Sequence, residues 1–172
     1  MKRLLLLRHA KTVPGGPDDH ERPLLARGRA DAPAMGRYIH DHGYEPDLIL
    51  SSTSRRTVET VELLTVQLQG PARTDYVESL YLAEPGAILA VIRAAPDKVK
   101  TLMVVGHNPG MEAIATELAR EPVKRKERDR FDLIEEKFPT AALAVLDFDV
   151  TRWRDVEASR GALSDFVRPR DL

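Results

Sequence analysis

The chain has 172 residues, which suits a single domain spanning residues 1–172. Its composition, 42% hydrophobic and 31% charged, excludes disordered and membrane-embedded chains. The 26 basic and 27 acidic residues give a formal charge of −1, which argues against a nucleic-acid partner, and the absence of cysteine excludes disulfides, thiolate metal sites and cysteine nucleophiles.

The first apolar run, residues 4–7, predicts a buried strand. It is only four residues long before Arg8 and His9 interrupt it. An export signal needs roughly 7–15 apolar residues and a membrane helix roughly 18. We therefore expect no membrane association and a cytoplasmic location.

Further strands are predicted at three other apolar segments. Residues 48–50 and 102–105 are short continuous runs, which are typical of strands covered on both faces of a parallel sheet. Residues 141–150 alternate, with odd positions from 143 toward one face and even positions from 144 toward the other. Residues 153–156 are expected to pair with this strand as a hairpin.

Helical stripes lie between the strands. Apolar residues recur at helical spacing in residues 57–68, 88–92 and 111–118. Residues 25–42 also predict a helix, which Pro33 is expected to kink or restart. Strands alternating with helices predict an α/β fold with crossover connections.

Three of the predicted strands are followed by polar segments whose side chains could bind a ligand or react with it. Arg8 and His9 follow the first, residues 51–56 follow the second, and residues 106–110 with His107 follow the third. Ligands of open α/β sheets bind beyond the carboxyl ends of the strands. Arginine forks and a helix N-terminus near residue 110 suit a dianionic phosphoryl group. A neutral histidine there could attack phosphorus and form a covalent phosphohistidine that water hydrolyses.

Each segment alone also has an explanation without catalysis. The Arg-His pair can be incidental, the serine-rich segment can be a helix N-cap, and the His107 turn can begin a helix. His40 and His42 suggest a metal site only weakly, because helix C-termini favour histidine. No cofactor-binding motif is present in the sequence, so we expect neither a metal nor a cofactor.

Arg8-His9-Ala10 resembles the RHG or RHA signature of the histidine phosphatase superfamily, the phosphoglycerate-mutase-like proteins. Residues 51–60 are similar to its S-S-x-x-x-R-x-x-Q-T element, with Glu59 in place of glutamine. Residues 105–109 resemble its second histidine motif. The resemblance implies a three-layer α/β sandwich, with a mostly parallel central sheet between helices and an antiparallel strand at its edge.

One branch of this superfamily, the SixA-type phosphohistidine phosphatases, is more similar still. The similarity rests on the small size, on residues 22–24 (Arg-Pro-Leu) with Gly28, and on residues 138–142 with Trp153 beyond them. It covers nearly the whole chain. It implies a histidine-phosphorylated protein as the substrate.

The resemblance also implies roles for individual residues. His9 is expected to be the nucleophile, and Arg8, Arg56 and His107 are expected to hold the phosphoryl oxygens. Arg55 competes with Arg56 for this role, although the spacing to residue 60 favours Arg56. If His9 has the ordinary pKa of about 6.5, the rate should fall below roughly pH 6.

Four further residues are expected at the substrate: Arg22, Asp19, Asn108 and Glu78. Arg22 and Asp19 match positions of the branch, and Asn108 follows His107. Glu78 lies near the place where larger superfamily members carry their general acid, but a surface carboxylate is an equal explanation. About 24 residues separate residues 75 and 99. That is enough for one helix and no lid, which predicts a shallow, open site.

Three functions fit these observations. The first is a phosphatase for phosphohistidine on a protein partner. The second is a phosphatase or mutase for a small phosphorylated metabolite, although a mutase needs a closed pocket. The third, a phosphoryl-binding module without catalysis, would need the arginines but not two histidines.

Overall fold

A single mixed sheet organises the structure, a computed structural model that describes residues 1–70 and 73–172. In these residues the sheet has six strands, in the order β3-β2-β4-β1-β5-β6. Strands β1 to β4 pair in parallel, whereas β5 is antiparallel to β1 and to β6. The strands are β1 (Lys2–Arg8), β2 (Leu48–Ser51), β3 (Arg73–Tyr76), β4 (Thr101–Gly106), β5 (Leu143–Phe148) and β6 (Ala162–Val167).

Helices cover both faces of the sheet, as the α/β prediction requires. The α-helices of the described residues are α1 (Ala26–Asp41), α2 (Arg55–Thr65), α3 (Pro85–Arg93), α4 (Gly110–Leu118) and α5 (Arg125–Glu136). Short 3-10 helices occur at Asp19–Glu21, Glu78–Leu80, Trp153–Asp155 and Pro169–Asp171. Within residues 1–70 and 73–172, no helix is long and apolar enough to cross a membrane.

Strand β1 shows how the sequence builds two cores. Leu4 and Leu6 pack with helices α3, α4 and α5, and Leu5 and Leu7 pack with α1 and α2. All four leucines are fully buried. Because each fully buried leucine contributes about 1.5–3 kcal/mol, β1 is firmly held between the layers, and so are the residues that follow it.

Most of the predicted elements are confirmed. Strands occur at residues 48–50 and 102–105, and the predicted helical stripes lie in helices except for Leu68, which follows the end of α2 at Thr65. The alternation in β5 is confirmed as well, because its odd and even positions join different cores. Helix α1 runs through Pro33 as one element, so the predicted restart is wrong.

The prediction of a strand at residues 153–156 is wrong. These residues begin a 3-10 helix in which the indole of Trp153 donates a hydrogen bond to the carbonyl of Val99 (2.8 Å). The hairpin partner of β5 is β6, whose apolar pattern is hidden by a bulge opposite Val145 and Leu146. The bulge adds a residue between Leu163 and Phe166, so that both reach the same core at a spacing that strands do not normally show.

The pairing register brings the three polar segments to one edge of the sheet. Arg8 at the end of β1 lies opposite Gly106 at the end of β4, and Ser51 at the end of β2 lies opposite Val105. The residues that follow these strands are therefore neighbours in space.

Candidate active site

His9 and His107 lie side by side at this edge. Their ring centroids are 5.3 Å apart, and their residues are only 5% and 3% exposed. The sequence predicted both as site residues although they are 98 positions apart in the chain. The parallel pairing of β1 with β4 brings them together.

The hydrogen bonding of His9 determines which ring nitrogen is reactive. Nδ1 lies 2.8 Å from the carbonyl oxygen of Ala10. Because a carbonyl can only accept, Nδ1 carries the hydrogen and Nε2 carries the lone pair of the neutral ring. The backbone of Ala10 is fixed in turn, because its N–H donates to Thr60 Oγ1 (3.0 Å).

Burial keeps the His9 ring neutral. It lowers the pKa of His9 to about 4, and the positive charges of Arg8, Arg56 and Arg22 act in the same direction. The predicted fall in rate below pH 6 is therefore corrected: protonation of His9 in the empty site is expected near pH 4. A neutral imidazole with a free Nε2 is the form that can attack phosphorus.

His107 is held by a serine of the second segment. Its Nε2 lies 2.8 Å from Ser52 Oγ, and its Nδ1 is buried without a hydrogen-bond partner in the described residues. Burial and the neighbouring His9 lower the pKa of His107 to about 3. The ring is therefore neutral, and one of its nitrogens is left for a ligand.

Arg56 and Arg55, adjacent in sequence, lie in different surroundings. Arg56 is 2% exposed and donates to Asp19, from Nη1 to the backbone carbonyl (2.7 Å) and from Nη2 to the carboxylate (3.1 Å). The Arg55 side chain is 51% exposed and lies 3.8 Å from Glu59 on the outer face of α2. The structure therefore brings Arg56, and not Arg55, to the histidine pair.

Asp19 connects the arginines to a tyrosine. Its carboxylate accepts hydrogen bonds from Arg22 Nε (3.0 Å), from Arg56 and from the hydroxyl of Tyr81. The Tyr81 hydrogen bond and the two arginines lower the pKa of Asp19 to about 2, so it stays ionised. Sequence analysis placed Asp19 at the substrate, and the contacts show that its carboxylate orients two guanidinium groups.

Tyr81 is a residue that sequence analysis missed. Its ring lies 5.5 Å from that of His107 and 4.8 Å from that of His20, edge-on in both cases. Nothing in a lone tyrosine after a 3-10 helix signals this position. Only the packing of residues 78–81 beside β2 and β4 brings the ring to the site.

Arg8 and Asn108 share one acceptor. Arg8 Nη1 and Asn108 Nδ2 both donate to the carbonyl of Phe138, at 3.0 and 2.9 Å. Asn108 Oδ1 also accepts from the backbone N–H of Glu112 in the first turn of α4. Asn108 thus links α4 to the chain after α5, and it lines the same cavity as His9.

Glu78 lies apart from these contacts. It is exposed and begins the 3-10 helix Glu78–Leu80. Within the part of the chain that the structure describes, its side chain forms no hydrogen bond or salt bridge. The contacts found from this segment to the site come from Tyr81, three residues further on.

An open cavity of about 460 Å³ leads to His9. Its charged walls are all basic and consist of Arg8, Lys11, Arg22 and Lys137. The residues that the structure describes contain no cluster of three or more side chains suited to a metal ion. His40, considered above for a metal, contacts Glu45 (2.7 Å). The cavity therefore suits an anionic group that approaches the two histidines.

Comparison with known proteins agrees with this geometry. Residues 4–78 match the family model of the histidine phosphatase superfamily (branch 1). An uncharacterized protein of Mycobacterium tuberculosis is 39% identical over 165 residues, which cover 95% of this chain and all of that protein. A second uncharacterized relative, from Mycobacterium leprae, is 34% identical over 169 residues, 95% of this chain and all of that protein.

Two solved structures are similar over almost their whole length. One is a candidate phosphohistidine phosphatase SixA from Nakamurella multipartitia, with a TM-score of 0.84, 29% identity and coverage of 98% of this chain and 96% of that chain. The other, from Agrobacterium tumefaciens and of the same description, has a TM-score of 0.75 and 33% identity, with 98% of both chains covered. The chain belongs to the histidine phosphatase superfamily. Within that superfamily it is of the SixA type, as the sequence motifs implied.

Proposed function

We propose that this protein is a phosphohistidine phosphatase, which removes the phosphoryl group from a histidine of a partner protein. One observation carries the proposal. In the described residues, three buried side-chain nitrogens lack a hydrogen-bond partner, namely Arg8 Nε, Arg56 Nε and His107 Nδ1, and all three belong to this site. Unpaired buried polar groups are costly, so three in one place favour a ligand that supplies acceptors.

A phosphoryl group is the ligand that best fits these nitrogens. During transfer, the negative charge of the phosphoryl group is spread over three equatorial oxygens. Two guanidinium groups and an imidazole N–H can donate hydrogen bonds to these oxygens. These donors are fixed before the substrate arrives, so they need not reorganise as charge develops. Arg22, held by Asp19, adds positive charge at the entrance.

His9 then acts as the nucleophile. Nε2 attacks phosphorus, a new P–N bond forms, and the P–N bond to the substrate's imidazole breaks. The bond from Nδ1–H to the Ala10 carbonyl stabilises the positive charge that develops on the His9 ring. Water afterwards attacks the phosphorylated His9, which releases inorganic phosphate and restores the neutral ring.

The leaving group explains why a strong general acid is not needed. A phosphohistidine whose ring is protonated leaves as neutral imidazole, whose conjugate acid has a pKa near 6.5. An alkyl phosphate leaves as a much more basic alkoxide and needs a proton donor. Glu78 is exposed and forms no hydrogen bond within the described residues, so no contact positions it as the proton donor that an alkoxide would need. The names of the two SixA-type structures support the same substrate.

The proposal is tested by comparing a histidine-phosphorylated protein with alkyl phosphates such as glycerol phosphate. We expect much faster turnover of the former, and an acid-labile, alkali-stable phosphate label trapped on the enzyme. His9→Ala should abolish both. His42→Ala, which removes an exposed histidine at the end of α1, is the control and should change neither.

Three results would contradict the proposal. Full activity of His9→Ala would exclude the covalent intermediate. Efficient cleavage of alkyl phosphates, with none of phosphohistidine proteins, would identify a small-metabolite phosphatase instead. Tight phosphate binding without turnover of either would identify a binding module.

A further inference from the structure

A second cavity, which we call the basic groove, adjoins the active-site cavity. It measures about 250 Å³ and shares Lys11, Lys137, Pro139 and Thr140 with that cavity as a common wall. Beyond this wall the basic groove is lined by Arg27, Asp31, Arg168, Pro169 and Arg170. Five basic side chains thus line the groove with one carboxylate.

Only some of these cations form salt bridges in the part of the chain that the structure describes. Arg27 pairs with Asp31 (3.2 Å), and Arg168 pairs with Asp171 (2.9 Å). Within residues 1–70 and 73–172, no salt bridge involves Lys11, Lys137 or Arg170. All three are exposed. The basic groove therefore keeps a positive charge although the chain carries −1 overall.

The topology explains why the basic groove lies beside the histidines. Val167 at the end of β6 is opposite Leu143, and Leu143 is opposite Leu7 of β1. The 3-10 helix Pro169–Asp171 therefore follows β6 at the same sheet edge at which Arg8 and His9 follow β1. A substrate seated on His9 has the basic groove directly alongside it.

The kind of occupant follows from how the cations are presented. A small anion is usually held by buried, fixed donors, whereas Lys11, Lys137 and Arg170 are long, exposed side chains. Such side chains suit an extended acidic surface, which they attract over a distance. A nucleic acid would extend past the groove over a chain of net negative charge, which disfavours it.

We propose that the basic groove docks an acidic surface of the partner protein, next to the histidine that carries the phosphoryl group. The inference rests on the proposed function and adds a property of the substrate: acidic residues near the phosphohistidine. Docking by exposed charges raises the association rate and weakens as salt screens the charges.

Two histidine-containing peptides test the proposal. They have the same sequence except that one carries Asp and Glu around the histidine and the other Ser and Gln, and both are phosphorylated chemically. We expect kcat/KM to be about tenfold higher for the acidic peptide at low salt, and we expect the ratio to approach one at high salt.

Arg170→Glu provides the variant and Arg154→Glu its matched control. Both arginines are exposed and lie in one-turn 3-10 helices, but Arg154 follows β5 and lies at the opposite edge of the sheet. Arg170→Glu should lower the preference for the acidic peptide about fivefold. It should leave turnover of free phosphohistidine unchanged, and Arg154→Glu should change neither quantity.

Binding of the unphosphorylated acidic peptide, followed by fluorescence anisotropy, separates the two proposals. If the peptide binds, Arg170→Glu weakens that binding and no phosphohistidine is turned over, the result would support the docking role of the basic groove and refute the proposed function. Equal turnover of both peptides would support the function and overturn the docking surface. An effect of Arg170→Glu on an oligonucleotide or a small bisphosphate, but not on the acidic peptide, would also overturn it.

Discussion

The two edges of the sheet treat buried polar groups in opposite ways. At the amino edge of β1, the buried Lys2 donates to the carbonyls of Asp97 and Val99, and its ammonium lies 5.8 Å from the centre of the Trp153 ring. At the carboxyl edge, Arg8 and Arg56 each keep a buried Nε that has no hydrogen-bond partner within residues 1–70 and 73–172. At the amino edge the protein itself supplies the partners of the buried cation, whereas at the carboxyl edge the proposed function assigns that role to the phosphoryl group.

The largest expected effect is on kcat and comes from Arg56, at the carboxyl edge of the sheet. Arg56→Ala should reduce kcat on a phosphohistidine protein by about 10²–10³, since a preorganised donor to the transferring group is lost. Arg56→Lys should also be poor, because an ammonium cannot reproduce the guanidinium fork. Arg55→Ala, the adjacent exposed arginine, is the control and should change kcat little.

Steady-state kinetics with a folding check by circular dichroism decides this prediction. Arg56→Ala should keep the native spectrum. If Arg55→Ala proved the more damaging change, Arg56 would not be the residue that holds the transferring group.

The second prediction concerns acid pH. His9 and His107 have lowered pKa values when folded, about 4 and about 3, so the unfolded chain binds protons first as the pH falls. Stability should therefore be full above the ordinary value of about 6.5 and should decline below it, down to about pH 4 for His9 and about pH 3 for His107. At about 1.4 kcal/mol per pKa unit, the loss from His9 alone is on the order of 3 kcal/mol.

Urea unfolding at a series of pH values measures this decline. His107→Gln, which removes one of the two buried titrating rings, should flatten the curve. NMR titration of the His9 and His107 rings gives the midpoints directly, and values at or above 6.5 would refute the account of burial.

The sequence predicts those features of the two edges that depend on local sequence, and it does not predict those that depend on contacts between distant residues. The carboxyl-edge motifs were predictable because each follows a short apolar strand, and parallel strands end together. The segments that contain His9, Arg56 and His107 were found in this way, and the family resemblance then favoured Arg56 over Arg55. The lowered pKa of His9 was not, because burial by the surrounding layers leaves no mark on the residue's own sequence neighbours.

Residues that tertiary packing alone brings in were missed. The hydroxyl of Tyr81 donates a hydrogen bond to Asp19, whereas the sequence analysis of the same segment predicted Glu78 as the residue at the substrate. The cations of the basic groove come from four segments: the chain after β1 (Lys11), α1 (Arg27), the chain after α5 (Lys137) and residues 168–170. The formal net charge of −1 gives no sign of a local cluster of positive charge. Strand β6 was missed because its bulge breaks the alternation of apolar residues.

The third prediction tests the satisfied edge. Lys2→Met should lower the free energy of unfolding by about 2 kcal/mol, because the carbonyls of Asp97 and Val99 both lose a charged donor, although Val99 keeps the hydrogen bond from Trp153. It should leave kcat unchanged, which reverses the pattern expected for Arg56→Ala. Lys100→Met, an exposed lysine at the same end of the sheet, is the control and should change neither. Loss of activity in a folded Lys2→Met protein would contradict the assignment of stability to the amino edge and of activity to the carboxyl edge.

The smallest effect is expected at Ser52, whose side chain contacts the site through His107. Ser52 Oγ accepts a long hydrogen bond from the N–H of Ser54 (3.5 Å), so its own hydrogen can be donated to His107 Nε2 (2.8 Å). That arrangement leaves the ring hydrogen on Nδ1, which has no hydrogen-bond partner among the residues described and can donate to a phosphoryl oxygen.

Ser52→Ala should therefore lower kcat about tenfold, since His107 can then carry its hydrogen on either nitrogen. Ser51→Ala removes an equally buried hydroxyl whose hydrogen bond goes to the Ser52 carbonyl (3.0 Å), so it controls for loss of packing. The ¹⁵N shifts of His107 should show the Nδ1–H form in the wild type and a mixture in Ser52→Ala. An unchanged tautomer in Ser52→Ala, or an equal loss of kcat in Ser51→Ala, would show that the Ser52 hydroxyl supports the fold and does not set the hydrogen of His107.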